Sequence, residues 1–86
     1  MRVSHHAAER FLQRVFHMDR YSRHDINRAR KLLQRDVSSL VVTGVKRFVP
    51  LPSFQEAVAL YLDGTLVTVY PREYVRNYLK DRRVKH

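Results

Sequence analysis

Cysteine is absent from this chain, and glycine occurs only twice. Without cysteine there is no disulfide framework, no thiolate metal ligand and no thiol nucleophile. Two glycines cannot build a glycine-rich loop around a nucleotide, and no such motif is present. No HExxH pair, paired-carboxylate constellation or serine-nucleophile context occurs either, so the expectation is no metal and no cofactor. His17 and His24 are spaced His-x₆-His and His86 is terminal, which makes a poor metal site. No run approaches the roughly 18 uncharged apolar residues of a membrane span, and no apolar leader opens the chain. The expectation is a soluble, unsecreted, cytoplasmic protein with no membrane partner.

Acidic residues are also scarce. Eight Asp and Glu stand against 17 Lys and Arg, for a net charge of +9. Thirteen of the 17 cations are arginine, whose planar guanidinium suits bidentate contact with phosphate and stacking on bases. RNA or another nucleic acid is therefore the first partner to consider. The charge is uneven: net +5 over residues 1–36, zero over 37–71 and +4 over 72–86.

Eighty-six residues allow one small domain, 1–86, with a thin core. Ala7, Ala8, Phe11, Leu12, Val15 and Phe16 recur at three- and four-residue intervals, which predicts an amphipathic helix over about 4–17 with Ser4 as its N-cap. Ser22 followed at the third position by Asp25 resembles a capping box opening a second helix, whose inner stripe is Ile26, Ala29, Leu33 and Val37. From residue 38 the period changes. "SSLVVTGVKRFVPL" is rich in β-branched residues, with Gly44 as a bulge or hairpin tip, and "EAVALYLDGTLVTVY" reads as two strands around a type I′ Asp-Gly turn. That turn would place Leu60 opposite Val67 and Val58 opposite Val69, giving an aliphatic face against the helices. Ala57, Ala59, Tyr61, Leu66, Thr68 and Tyr70 would then face outward. Pro71 suits the first position of a short last helix, with Tyr74, Val75, Tyr78 and Leu79 on its apolar side, before a basic tail. The fold class is α+β: two N-terminal helices (helical hairpin 4–37) on one face of a three- or four-stranded antiparallel sheet (38–70), then the short helix and tail (71–86).

His6, Arg10 and Arg14 are spaced i, i+4, i+8 and line one face of the first helix. Cleavage of RNA by its own 2′-hydroxyl needs a base, an acid and cationic donors for the charge on phosphorus, and a histidine one turn from an arginine can supply two of these. Thr68 and Tyr70 lie two apart on one sheet face, where their hydroxyls can meet a phosphate or ribose. Read conservatively, each is an ordinary surface or strand residue.

"SHHAAERFLQRV" and "LVTVY" resemble the HAxxRxxxR opening and the last strand of domain-of-unknown-function family 4258. That family resembles the small ribonuclease-like domains named after barnase, EndoU, colicin and RelE, common among bacterial toxins that cut RNA without metal. The resemblance implies His6, Arg10, Arg14, Thr68 and Tyr70 as catalytic positions, and an acidic antitoxin as a possible partner. The long "FHMDRYSRHD" connection and the "VPLPSF" stretch depart from the family pattern. For the five residues to meet, His6 must lie near the helix start and reach round the sheet edge, because Thr68 and Tyr70 face away from the helices.

Two other functions compete with a metal-independent endoribonuclease. One is a nucleic-acid-binding or regulatory module without chemistry, using Arg28, Lys31 and Arg35 of the second helix, Tyr61 and Tyr70 as stacking rings, and Arg82, Arg83 and Lys85 of the tail. The other is a small phage-type protein that binds and inhibits an acidic host protein.

Overall fold

A computed structural model describes residues 1–75 of the chain. Its elements are β1 (Arg2–Val3), α1 (His5–Arg14), α2 (Arg23–Asp36), β2 (Lys46–Leu51), β3 (Phe54–Leu62) and β4 (Thr65–Pro71), followed by a helical turn, α3, over 72–75. Tyr78, Leu79, Arg82, Arg83 and Lys85 lie outside the described residues.

Both expected helix starts are present. Ser4 is extended, and its Oγ accepts the N–H of Ala7 at 3.0 Å. At α2 the capping box closes in both directions: Ser22 Oγ accepts from the Asp25 N–H at 3.2 Å, and the Asp25 carboxylate accepts from the Ser22 N–H at 2.9 Å. The Ser22 N–H also holds the Asp25 carboxyl below its ordinary 3.8. Helix α1 ends at Arg14, three residues short of the span expected from its apolar spacing. His17 then takes a left-handed φ of 54°, which turns the chain toward α2 and leaves Phe16 about half exposed.

The sheet is four-stranded and mixed, in the order β1-β4-β3-β2. This corrects the antiparallel expectation. Strands β2, β3 and β4 are antiparallel neighbours, but the N-terminal β1 pairs parallel to β4, Arg2 beside Thr65 and Val3 beside Leu66. A two-residue strand has too few side chains to show any period, so only the pairing reveals it. The sheet's other strands begin at Lys46 and not at residue 38; Gly44 lies in the loop before β2. Pro71 closes β4, and the helical turn starts one residue later, at Arg72.

The Asp-Gly turn is as expected: Asp63 and Gly64 have φ of 45° and 91°, both positive as a type I′ turn requires. The register beyond it differs. Leu62 faces Thr65 and Tyr61 faces Leu66, but Leu60 then faces Thr68, Ala59 faces Val69 and Val58 faces Tyr70. Val67 is the extra residue of a β-bulge, and it reverses the in-out alternation along β4. Leu66 and Val69 consequently point into the core, while Thr68 and Tyr70 point to the far face.

On β3 the expected faces are exchanged. Ala57, Ala59 and Tyr61 join the core with Val49 and Leu51 of β2, against Ala7, Ala8, Phe11 and Leu12 of α1 and Ile26, Ala29 and Leu33 of α2. Alanines at 7, 8, 57 and 59, all essentially inaccessible, let α1 lie close to the sheet. Val58 is buried as well, on the far face with Thr68, and Val75 of α3 is also buried. Both faces of the strand pair thus bury residues, and alternating hydrophobicity no longer tells inside from outside. Phe11, Phe16 and Phe54 form an edge-to-face trio, with centroids 4.9 to 6.0 Å apart, that ties the end of α1 to the start of β3.

Candidate functional site

Helix α1 runs alongside β4, and its polar side follows that strand's edge. At one end the Ser4 N–H donates to the Leu66 carbonyl at 2.9 Å and Ser4 Oγ to the Val67 carbonyl at 3.3 Å. At the other end Arg14 Nη1 donates to the Val69 carbonyl at 2.5 Å. The bulge at Val67 makes this last contact available, because it re-aims the carbonyls that follow it. Donors from α1 thereby occupy the edge that β1 leaves uncovered.

The same bond draws Arg14 round the edge to the far face, where its guanidinium carbon stands 5.3 Å from the centroid of the Tyr70 ring. Tyr70 also stacks on Tyr74, with centroids 5.0 Å apart and planes 19° apart, and lies 6.4 Å from Phe48. Thr68, two residues before Tyr70 on this face, is only 8 % exposed.

His6 and Arg10 make a separate pair. Arg10 Nε donates to His6 Nε2 at 3.2 Å. Arg10 Nη1 donates to Gln13 Oε1 at 2.7 Å, Gln13 Nε2 donates to the Tyr21 hydroxyl at 2.9 Å, and that hydroxyl donates to Glu9 Oε2 at 2.9 Å. His5 meets the other carboxylate oxygen of Glu9 at 2.9 Å. Donation to Glu9 pushes the Tyr21 phenol above its ordinary pKa of 10.0. Tyr21 had no signal in the sequence: no periodicity relates position 21 to 9 and 13, and only the reversal of the chain after α1 brings it there.

The structure therefore divides the five expected catalytic residues. Arg14 and Tyr70 touch, and His6 and Arg10 touch. Among the described residues no hydrogen bond links the second pair to Thr68 or Tyr70.

On α2 the expected basic residues lie along the outer face. Arg28, Lys31 and Arg35, spaced i, i+3, i+7, are all exposed, as is Arg23 in the first turn. Arg28, Lys31, Leu32 and Arg35 line a shallow cleft of about 230 Å³. Both carboxylates of the helix are engaged with backbone: Asp25 in the capping box, and Asp36 accepting the Ser53 N–H at 3.2 Å. Among the described residues the one ion pair is His5 with Glu9, while Arg28 acts on Asp25, one turn away, through its charge alone.

Tyr61 is corrected. It belongs to the core cluster and is 9 % exposed, which removes it as a stacking ring. The tail cations Arg82, Arg83 and Lys85 fall outside the described residues. Among the described residues no helix is long and apolar enough to cross a membrane, and no three His, Asp or Glu side chains gather as a metal site would need. No protein-family model, no curated protein and no solved structure matches this chain.

Proposed function

We propose that the protein binds nucleic acid through the phosphate backbone, with the outer face of α2 as its principal contact. One observation carries this reading: Arg23, Arg28, Lys31 and Arg35 are exposed on one helix whose two acids each accept a backbone N–H. Residues 28 to 35 rise about 10 Å along the helix axis, a span over which a strand presents consecutive phosphates. Contacts of this kind bind and orient the backbone without reading its sequence. The test is fluorescence anisotropy of a labelled 12-nucleotide strand and of a 12-base-pair duplex at low salt. Binding that collapses when Arg28, Lys31 and Arg35 are all changed to Gln supports the proposal; no binding by the native protein refutes it.

A second reading, the metal-independent endoribonuclease implied by the family resemblance, has one observation in its favour. Arg14 is carried round the β4 edge onto Tyr70, so two of the five expected residues share a surface. In that reaction the imidazole of His6 would take the proton of a 2′-hydroxyl, and Arg10 and Arg14 would stabilise charge on phosphorus. It ranks second because His6 Nε2, a lone pair such a base needs, already accepts from Arg10. Digestion of RNA in the presence of a chelator, leaving 2′,3′-cyclic phosphate ends and lost in His6→Ala, would raise it to first place. RNA left intact at high protein concentration removes it.

A further inference from the structure

On the sheet face turned away from α1 and α2, the Tyr70 and Tyr74 rings lie nearly parallel, and Tyr74 is 62 % exposed. A large ring left this open forgoes burial, yet it is held in place from two sides. Val75, the next residue, is 4 % exposed, and Arg72 Nη1 reaches the Gln55 carbonyl at 3.4 Å, tying the start of α3 to β3. The ring is thus oriented by its stack on Tyr70 and presents its outer surface to solvent. Arg14 supplies a guanidinium at the same Tyr70 ring, and Arg72 is exposed two residues before Tyr74.

We infer that Tyr74 is a stacking platform for an unpaired nucleobase, with Arg14 and Arg72 as the cations for the flanking phosphates. The inference rests on the nucleic-acid reading and adds the substrate class: single-stranded rather than duplex. A planar aromatic platform beside arginines is the arrangement that single strands use, because every unpaired base offers a π-face, whereas paired bases are already stacked on each other. Glu73, exposed beside Tyr74, repels phosphate and offsets part of the Arg72 charge, which leaves Arg14 the stronger of the two phosphate contacts. The platform lies on the opposite side of the sheet from the helices; the strand reaches it round the β4 edge, past Arg10 and Arg14.

The experiment compares Tyr74→Ala and Tyr74→Phe with the native chain, using 12-nucleotide oligo(U), 12-nucleotide oligo(dT) and a 12-base-pair duplex. Tyr74→Ala should weaken both single strands by about 5- to 150-fold, the range for loss of one base–aromatic stack. Duplex affinity should be unchanged, and Tyr74→Phe should keep native affinity because the stack needs the ring and not the hydroxyl. The chain has no tryptophan, so Tyr74→Trp places a single indole at the site; its emission should be quenched by the single strands and not by the duplex. If Tyr74→Ala leaves single-strand affinity unchanged while the Gln substitutions on α2 abolish it, the platform is refuted and the phosphate reading stands. A native protein that binds none of the three probes overturns both.

Discussion

Changing Arg28, Lys31 and Arg35 to Gln removes three charges from α2 while keeping side chains of good helix propensity. All three are exposed and take part in no ion pair among the described residues, so the fold should be kept, with only the weak attraction of Arg28 for Asp25 lost. The effect is best read in the salt dependence of duplex binding. Each phosphate neutralised contributes about −0.9 to the slope of log K against log salt, so contact by Arg23, Arg28, Lys31 and Arg35 gives about −3.6. Between 50 and 200 mM salt the native protein should then lose about 150-fold in affinity, while the triple variant, left with Arg23, should lose only about 3- to 4-fold. Anisotropy titrations of a 12-base-pair duplex across four salt concentrations measure both slopes, with circular dichroism confirming equal helicity. A variant that still binds with the native slope would show that the charges of α2 do not touch the backbone. The interface would then have to be sought elsewhere.

Phe11 is fully buried within the aromatic trio, so Phe11→Ala should cost about 3–5 kcal/mol in urea denaturation, and a loss below 1 would mean that the trio does not pack as described. Ser22→Ala removes the cap of α2 and should cost about 1 kcal/mol, seen as a lower thermal midpoint; an unchanged midpoint would refute the capping box. The Asp25 carboxyl is held below its ordinary 3.8, so it contributes stability above that value which is lost as pH falls through the depressed one. Asp25→Asn should accordingly be less stable near neutrality and lose less stability on acidification, and parallel native and variant curves of stability against pH would contradict this. Gly64 sits at φ 91° with open space where a Cβ would project, so Gly64→Ala pays only for its backbone conformation, about 1–2 kcal/mol, and a neutral outcome would argue against the type I′ turn.

Local signals were read well because local chemistry decides them. Ser4 and Ser22 cap their helices through hydrogen bonds that span three residues, and Asp63-Gly64 turns the chain because few other pairs tolerate two positive φ angles. The basic face of α2 was legible for the same reason: helical spacing alone aligns Arg28, Lys31 and Arg35. Non-local pairing was not legible. Strand β1 exists because Arg2 and Val3 find the edge of a strand more than sixty residues away, and the bulge at Val67 appears only when β4 is laid against β3. That bulge directs Thr68 and Tyr70 away from the helices and re-aims the carbonyl that Arg14 binds.

Composition, capping and periodicity thus determined the charge, both helix starts, the hairpin turn and the α+β class. Tertiary structure alone decided which face of β3 is the core, that Tyr61 is inside and Tyr74 outside, and that Arg14 but not His6 reaches Tyr70. The physical reason is that the outer face of the strand pair also buries residues, Val58 and Thr68 among them. With both sides apolar, the alternation that assigns inside and outside carries no information, and only packing can choose between them.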